Sequence, residues 1–362
     1  MPKVSIVLPT YNGQKYIRES IESVINQTFQ DWELIIVNDC STDSTPVIVE
    51  EFADLDARIK VIHNDTNKKL PASLNIGFDS AKGEYYTWTS DDNYYLPQAI
   101  EEMVNYLDNH GDEQMVVADM DIIDANNQFI TSCEQYNDTK MYVNDCVGAC
   151  FMYRKQVLNT IGIYDENMFL VEDYEYWLRI LFYYGTIGHI NKTLYIYRAH
   201  AGNLTSTRKH EIRRQLLRLR WEYIYKIVEK MKDSPDVLCM LYYEFLEAGY
   251  RECDLREIFL KYIPFLNNDV KFKKEKKIIV YGAGKVGDLA YSQNKDLIMF
   301  YADKDVKKIG NTKNGIPIIS IEDMISKKEK YQIMIGVGTD KIYEVVELLQ
   351  SVGVDQYCTV YS

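Results

Sequence analysis

The stretch Lys82-Gly83-Glu84-Tyr85-Tyr86-Thr87-Trp88-Thr89-Ser90-Asp91-Asp92-Asn93 decides the reading of this chain. Lys82-Gly83 closes a helical segment. Tyr85–Thr89 has the aromatic and β-branched content of a strand. The strand then runs directly into two adjacent carboxylates. Two acids leaving a sheet side by side repel each other, and water or a hard cation must screen them. Two readings stand at this point. Asp92 and its neighbour meet a divalent ion that bridges diphosphate oxygens, or the acids form a turn capping the helix that begins near Leu96-Pro97.

Working outward, the first half of the chain alternates strand and helix. Val4–Leu8 is a short apolar run stopped by Pro9, and Trp32–Val37 and Ile59–Ile62 are further apolar runs. Between them Ile17, Ile21, Val24 and Ile25 recur at helical spacing, Thr45-Pro46 starts a helix, and Leu70–Ala81 reads as helix. Such alternation predicts a mostly parallel sheet covered by helices, with ligands at the carboxyl ends of the strands. The loops at those ends carry the chemistry. Pro9-Thr10-Tyr11-Asn12-Gly13 offers an aromatic to stack on a base and backbone N–H groups. Asn38-Asp39-Cys40-Ser41-Thr42-Asp43 offers either a carboxylate for an imide N–H or ribose hydroxyl, or simply a set of helix-capping residues.

Composition narrows the class. The chain has 362 residues, 46% apolar and 26% charged, which suits two or three globular domains. Its net charge of −13 argues against a nucleic-acid partner. The acidity sits in residues 1–200, which hold 14 Lys+Arg against 31 Asp+Glu. No stretch is long and apolar enough to span a membrane, and no secretory leader is visible. The seven cysteines are odd in number and contain no C-x-x-C, so they read as reduced thiols of a cytoplasmic protein.

Past residue 207 the pattern changes. Ile212, Leu216, Leu219, Tyr223, Ile227 and Met231 recur at helical spacing, with nine basic residues between Arg208 and Lys232. A basic amphipathic helix of this kind either lies on an anionic membrane or packs its apolar side on a neighbouring domain. A second helical stretch runs from about Pro235 to Phe265. Alternation then returns, with strands expected at Ile278–Tyr281, Leu297–Ala302, Ile316–Ile319, Gln332–Val337 and Tyr357–Val360. Gly282-x-Gly284-x-x-Gly287 follows the first of these and opens a helix, and Asp303 ends the next strand 21 residues on. That is the context of a dinucleotide-binding turn with a ribose-binding acid. Binding without catalysis and a purely structural role both fit so small a domain. Tyr291 and Lys295 have a dehydrogenase-like spacing but fall in the first helix, the wrong place for that role.

Taken in order, these stretches resemble the family 2 glycosyltransferases, over residues 1–205. The resemblance is carried by Val4–Asn12, Ile36–Asp43, Leu74-Asn75-Ile76-Gly77, Lys82–Asp92, Gly162-Ile163-Tyr164-Asp165-Glu166, Glu172-Asp173 and Tyr197-Arg198-Ala199-His200. It implies the GT-A nucleotide-sugar-binding fold and an inverting, metal-dependent transfer. It implies that Pro9, Thr10, Tyr11 and Asp39 hold the uridine of a UDP-sugar, with Lys69 a further contact to phosphate or base. It implies that Asp91 approaches the ribose, that Asp92 holds Mn²⁺ or Mg²⁺ with His200 as an added ligand, and that Asp173 is the general base. The chain departs from the family at Asn38-Asp39-Cys40, where Asp-Asp-Gly is frequent, and at Ser90-Asp91-Asp92, where the first acid of D-x-D is missing.

The tail resembles the small nucleotide-binding domains attached to bacterial polysaccharide-synthesis enzymes, through Phe300–Asp305 and Gly315–Ser320. The expected organisation is therefore α/β. A GT-A domain at 1–207 is followed by a helical segment at 208–272 and a Rossmann-like domain at 273–362. The expected partners are a nucleotide-sugar donor and a glycan or lipid-linked acceptor, with membrane contact through 208–232 at the inner face. A non-catalytic nucleotide-sugar sensor and an NAD-dependent sugar-modifying enzyme are the competing readings.

Overall fold

A computed structural model describes residues 1–133 and 136–361. The chain divides between Glu222 and Tyr223 into two compact units. The first contains strands β1 (Val4–Thr10), β2 (Trp32–Asn38), β3 (Ile59–His63), β4 (Tyr85–Trp88), β5 (Tyr94–Tyr95), β6 (Met115–Asp124), β7 (Phe129–Cys133), β8 (Phe151–Arg154) and β9 (Gly188–Ala199). Its helices are α1 (Ile17–Ile25), α2 (Thr45–Leu55), α3 (Leu70–Asp79), α4 (Ala99–Asn109), α5 (Asp138–Met141), α6 (Lys155–Ile161), α7 (Glu172–Tyr184), α8 (Leu204–Thr207) and α9 (Lys209–Glu222).

These strands form one sheet in the order β3-β2-β1-β4-β8-β6-β9-β5, with β7 also on β6. The expected parallel half is present: β1 pairs in parallel with β2 and β4, and β2 with β3. Every residue of β1 and β2 is buried, as befits central parallel strands covered on both faces. The other half is mixed rather than parallel. β8 enters antiparallel between β4 and β6, while β6 and β9 run parallel. Close packing of α3 on β1 explains the glycine of Leu74–Gly77, since a Cβ at Gly77 would lie 2.4 Å from Val7 Cγ1.

The second unit contains α10 (Ile224–Lys230), α11 (Pro235–Glu247), α12 (Glu252–Phe259), β10 (Ile278–Tyr281), α13 (Lys285–Asn294), β11 (Ile298–Ala302), β12 (Thr312–Lys313), β13 (Ile316–Ile319), α14 (Ile321–Ser326), β14 (Gln332–Ile335), α15 (Ile342–Ser351) and β15 (Cys358–Thr359). Its sheet has the order β12-β13-β11-β10-β14-β15, parallel except for the β12–β13 pair. Disregarding the short β12, this is the strand order of a doubly wound sheet that reverses direction between β10 and β14.

The helical segment expected at 208–272 is divided. α9 belongs to the first unit, while α10–α12 join the second, where α11 packs on α15. Tyr243 donates to Asp269 Oδ2 at 2.8 Å and Tyr357 donates to the carbonyl of Phe265 at 3.1 Å, so these helices share a core with the tail sheet. Among the described residues no helix is long and apolar enough to cross a membrane. All seven cysteines are free thiols.

Candidate active site

Strands β1, β2 and β4 point the same way, so the loops after Thr10, Asn38 and Trp88 emerge on one edge of the sheet. They border a cleft of about 1360 Å³. Pro9, Thr10, Tyr11, Asp39, Lys69, Asp91, Asp92, Asp173 and His200 all line it, so every site residue expected in the first domain reaches one space. Gly282, Gly284, Gly287 and Asp303 lie in the other unit.

The loops after β1 and β2 are held to each other by hydrogen bonds. Asn12, in the left-handed region at φ 57°, accepts from Thr42 N at 2.8 Å, and its own N–H donates to Ser41 Oγ at 2.9 Å. The Asp39 carboxylate is buried and accepts three bonds: from Asn64 Nδ2 and Lys68 N at 2.8 Å, and from Lys69 N at 2.9 Å. It therefore shapes the loop that presents Lys69, which itself has φ 75°. Asn38, where the family often has an acid, is a structural residue here. Its amide faces His63 Nδ1 at 2.8 Å and accepts from Ser41 N at 3.1 Å.

At the end of β4, Thr10 Oγ1 donates to Asp91 Oδ2 at 2.5 Å. Burial, then the neighbouring Asp92 charge, pushes the Asp91 carboxyl up to about 7. Gly13 makes room for this carboxylate: a Cβ there would sit 2.1 Å from Asp91 Oδ2. Asp92 Oδ2 faces His200 Nε2 at 3.0 Å and accepts from Asn203 Nδ2 at 2.9 Å. Burial raises the Asp92 carboxyl, and the bond from His200 opposes it. The Gly202 N–H donates to His200 Nδ1 at 3.1 Å, so with no cation bound the ring proton lies on Nε2, facing Asp92; a cation at Nε2 would require that proton to move to Nδ1 and the Gly202 bond to give way.

Among the described residues no three His, Cys, Asp or Glu side chains converge as a metal cage. The cleft instead offers one carboxylate, Asp92, beside one imidazole, His200. That donor set fits a divalent ion whose remaining positions are filled by diphosphate oxygens and water, as Mg²⁺-type sites on phosphates are. Where the first acid of D-x-D is missing, Asp92 is met in space by a histidine 108 residues away.

The same cleft is lined by a second acidic group. Glu172 and Asp173 open α7, and Asp145, in the segment before β8, lines the same cleft. Asp173 Oδ1 accepts from Tyr174 N at 2.7 Å. Glu172 is only 4% exposed, and its Oε2 has no hydrogen-bond partner. Burial and then the Asp173 charge raise both Glu172 and Asp145, and burial raises Asp173. Crowded carboxyls of this kind share protons near neutral pH. The segment before α7 is fixed from α3. Asn75 donates through Nδ2 to the Tyr164 carbonyl, and its Oδ1 accepts from Tyr164 N, both at 3.0 Å. Two of the resemblance stretches, Leu74–Gly77 and Gly162–Glu166, are therefore direct neighbours.

Sequence reasoning missed three residues here. Arg198 lies in the quoted stretch two residues before His200, and Asn203 lies three residues after it; their partners became visible only in space. Asp145 lies outside every regular element and carried no signal.

In the tail, Gly282 has φ 110°, and a Cβ there would lie 2.6 Å from the Gly336 carbonyl oxygen. Gly287 packs on Gly282 in the same way, whereas a Cβ at Gly284 would meet open space. Asp303 turns back onto this loop. Its Oδ2 accepts from Ala283 N at 3.0 Å and Lys308 Nζ at 2.9 Å, and its Oδ1 accepts from Asp305 N at 3.0 Å.

Comparison with known proteins agrees with this geometry. The sequence model described as Glycosyl transferase family 2 matches residues 5–162. An uncharacterized glycosyltransferase of Rickettsia typhi is 31% identical over 191 residues, 50% of this chain; the match spans 59% of that protein's own length. An uncharacterized glycosyltransferase of Haemophilus influenzae is 30% identical over 246 residues, covering 64% of this chain and 76% of that protein. Among solved structures, S. aureus TarS 1–349 in complex with UDP-GlcNAc superposes with a TM-score of 0.53 at 19% identity, covering 74% of this chain and 83% of that one. The mannosyltransferase PcManGT from Pyrobaculum calidifontis, in complex with GDP-Man and Mn²⁺, gives 0.51 at 15% identity, covering 72% and 79%. At those identities the likeness concerns the fold, which is of the GT-A type. With the ordered strand-end loops and a 30% identical relative covered over three quarters of its length, this chain belongs to glycosyltransferase family 2.

Proposed function

We propose that this protein transfers a sugar from a nucleotide diphosphate donor, a UDP-sugar, to a hydroxyl of a glycan or lipid-linked glycan in bacterial polysaccharide synthesis. The observation that carries the reading is one cleft lined both by Asp92 beside His200 and by the crowded carboxyls of Glu172, Asp173 and Asp145. Tyr11 and Asp39 bind the base side of the donor, and Thr10, Asp91 and Lys69 bind the ribose and phosphates. Asp92 and His200 would hold Mn²⁺ or Mg²⁺, which supplies positive charge against the departing diphosphate. Asp173 takes the proton of the acceptor hydroxyl as its oxygen bonds to the anomeric carbon. The bond from that carbon to the phosphate oxygen breaks, and the diphosphate leaves with the electron pair. A single displacement of this kind inverts the anomeric configuration.

The tail, by its strand order and glycine turn, binds a nucleotide without chemistry. Because Asp303 already accepts from Ala283, Lys308 and Asp305, it shapes the turn for the diphosphate more than it reads a ribose. Helix α9 exposes Lys209, His210, Arg213, Arg214 and Arg218, which supports contact with an anionic membrane face.

Thermal-shift screening of nucleotide sugars with and without Mn²⁺ tests the reading. A UDP-sugar should raise the melting temperature of the full chain only with the metal, and Asp92→Ala should abolish that shift. Equal shifts in wild type and variant would contradict it, and a nicotinamide-linked absorbance change with sugars would favour a dehydrogenase instead.

A further inference from the structure

Arg198 is 1% exposed, and nothing above gives it a role in the reaction. A buried guanidinium needs partners for its donors, and here each of its three nitrogens reaches a different part of the donor end. Nε donates to the main-chain carbonyl of Asp92 at 3.1 Å. Nη2 donates to the Glu19 carboxylate on α1 at 2.5 Å. Nη1 donates to Asn127 Oδ1 in the turn between β6 and β7. The backbone N–H of Arg198 donates to Asn93 Oδ1 at 2.8 Å. The guanidinium also lies 4.6 Å from the centre of the Tyr16 ring, which is itself 5.2 Å from the ring of His200.

We infer that Arg198 is the positioning residue of the donor end, fixing Asp92 through its carbonyl and His200 through the chain and Tyr16, so that carboxylate and imidazole meet at one point. The inference rests on the reading that Asp92 and His200 hold the divalent cation. Asp92 sits on a loop leaving β4, and His200 sits on a loop leaving β9. The segment of Asp92 runs on into β5, which pairs with β9 just ahead of His200, so the ladder brings the two backbones together. The guanidinium adds what the ladder lacks, tying this junction to α1 through Glu19 and to the β6–β7 turn through Asn127. Its planar fork sets three directions at once, which a lysine ammonium cannot do. Partners of this kind orient metal-binding side chains and set how tightly the ion is held.

Two measurements on the full chain test this with Arg198→Lys, which keeps the charge and loses the fork. The first needs no metal. The chain has five histidines, so ¹⁵N-imidazole spectra can be assigned with His200→Gln as reference. Wild type should show His200 protonated at Nε2 and hydrogen-bonded; in Arg198→Lys that signature should average while the other four histidines stay in place. A residue that serves only the stability of the fold would not move one histidine alone. The second is Mn²⁺ affinity in the presence of UDP, read by electron paramagnetic resonance, which should weaken about tenfold or more.

If Arg198→Lys does not fold, Glu19→Gln replaces it, because Glu19 is 45% exposed and its loss leaves the core intact. That variant should shift the same His200 signal and weaken Mn²⁺ binding about threefold. An unchanged His200 signal with affinity within threefold in Arg198→Lys, or no change of either readout in Glu19→Gln where it stands in, overturns the inference. Absence of Mn²⁺ binding in wild type would sink the cation reading instead, and the imidazole spectra would still decide the role of Arg198.

Discussion

Replacing Gly13 by alanine adds one methyl group at the most crowded point of the donor end. The new Cβ would lie 2.1 Å from Asp91 Oδ2 and 2.7 Å from both Asp91 Cγ and Thr10 Oγ1. A carbon and an oxygen in contact need more than 3 Å, so something must move by over an ångström. If Asp91 rotates away, the Thr10 bond breaks and a recessed carboxyl loses its partner, at a cost of about 1–3 kcal/mol. If the loop from Thr10 to Gly13 moves instead, Tyr11 moves with it, away from the proposed position of the base. Either way donor binding suffers, and 1–3 kcal/mol is about a 5- to 150-fold loss. Calorimetry with UDP and Mn²⁺ reads the affinity, and urea unfolding reads the stability. Combining the substitution with Asp91→Ala removes the main obstacle, so Gly13→Ala should then lose most of its stability cost. An alanine variant as stable and as tightly binding as wild type would refute the reasoning. So would an equal stability penalty in both backgrounds.

Other outcomes follow from the same geometry. Glu172, Asp145 and Asp173 have raised pKa values, so between about pH 4 and 8 the folded chain holds more protons than the unfolded one, and stability falls as pH rises through that window. Glu172→Gln should flatten that slope and leave the chain about 1–3 kcal/mol more stable than wild type at pH 8.5, measured by urea unfolding; an unaltered slope would show that Glu172 is not held protonated. Asn75→Ala removes both bonds to Tyr164 and should cost about 1–3 kcal/mol while lowering transfer more than donor affinity, and a variant as stable as wild type would count against this brace. Gly284→Val should leave the melting temperature of the full chain nearly unchanged, since the space there is open, yet abolish calorimetric binding of NAD or UDP by the tail. Unaltered binding in that variant would mean the glycine turn is not the nucleotide site.

Much of this was legible in the sequence because it depends on local pattern. The fully buried runs of β1 and β2, the proline that starts α2, and the acids leaving β4 each announce themselves within a few residues. The mixed half of the sheet did not. β6 carries Asp119, Asp121 and Asp124 among its apolar residues, and its register against β9 shifts around Asp119, so no clean alternation marks it. Asp119 is tolerated inside because His189 Nε2 meets it at 2.8 Å, a pairing that no local pattern reveals. The site follows the same division. Asp92 was visible as a strand-end acid and His200 through a family pattern. Arg198, Asn203 and Asp145 gain meaning only from partners or cleft walls far away in sequence.

The most direct test of the account is Asp173→Asn, measured for donor affinity and sugar transfer after an acceptor has been found in a glycan panel. The substitution keeps the shape of the side chain and removes its capacity to take a proton. UDP-sugar affinity should stay within about threefold, because other loops hold the donor, while transfer falls by roughly 10²–10⁴-fold, the range for a lost general base. The wild-type rate should rise with pH through a pKa above the ordinary aspartate range, since burial raises Asp173. Transfer by the asparagine variant within threefold of wild type would contradict the account and leave Asp173 as an acid that only caps α7.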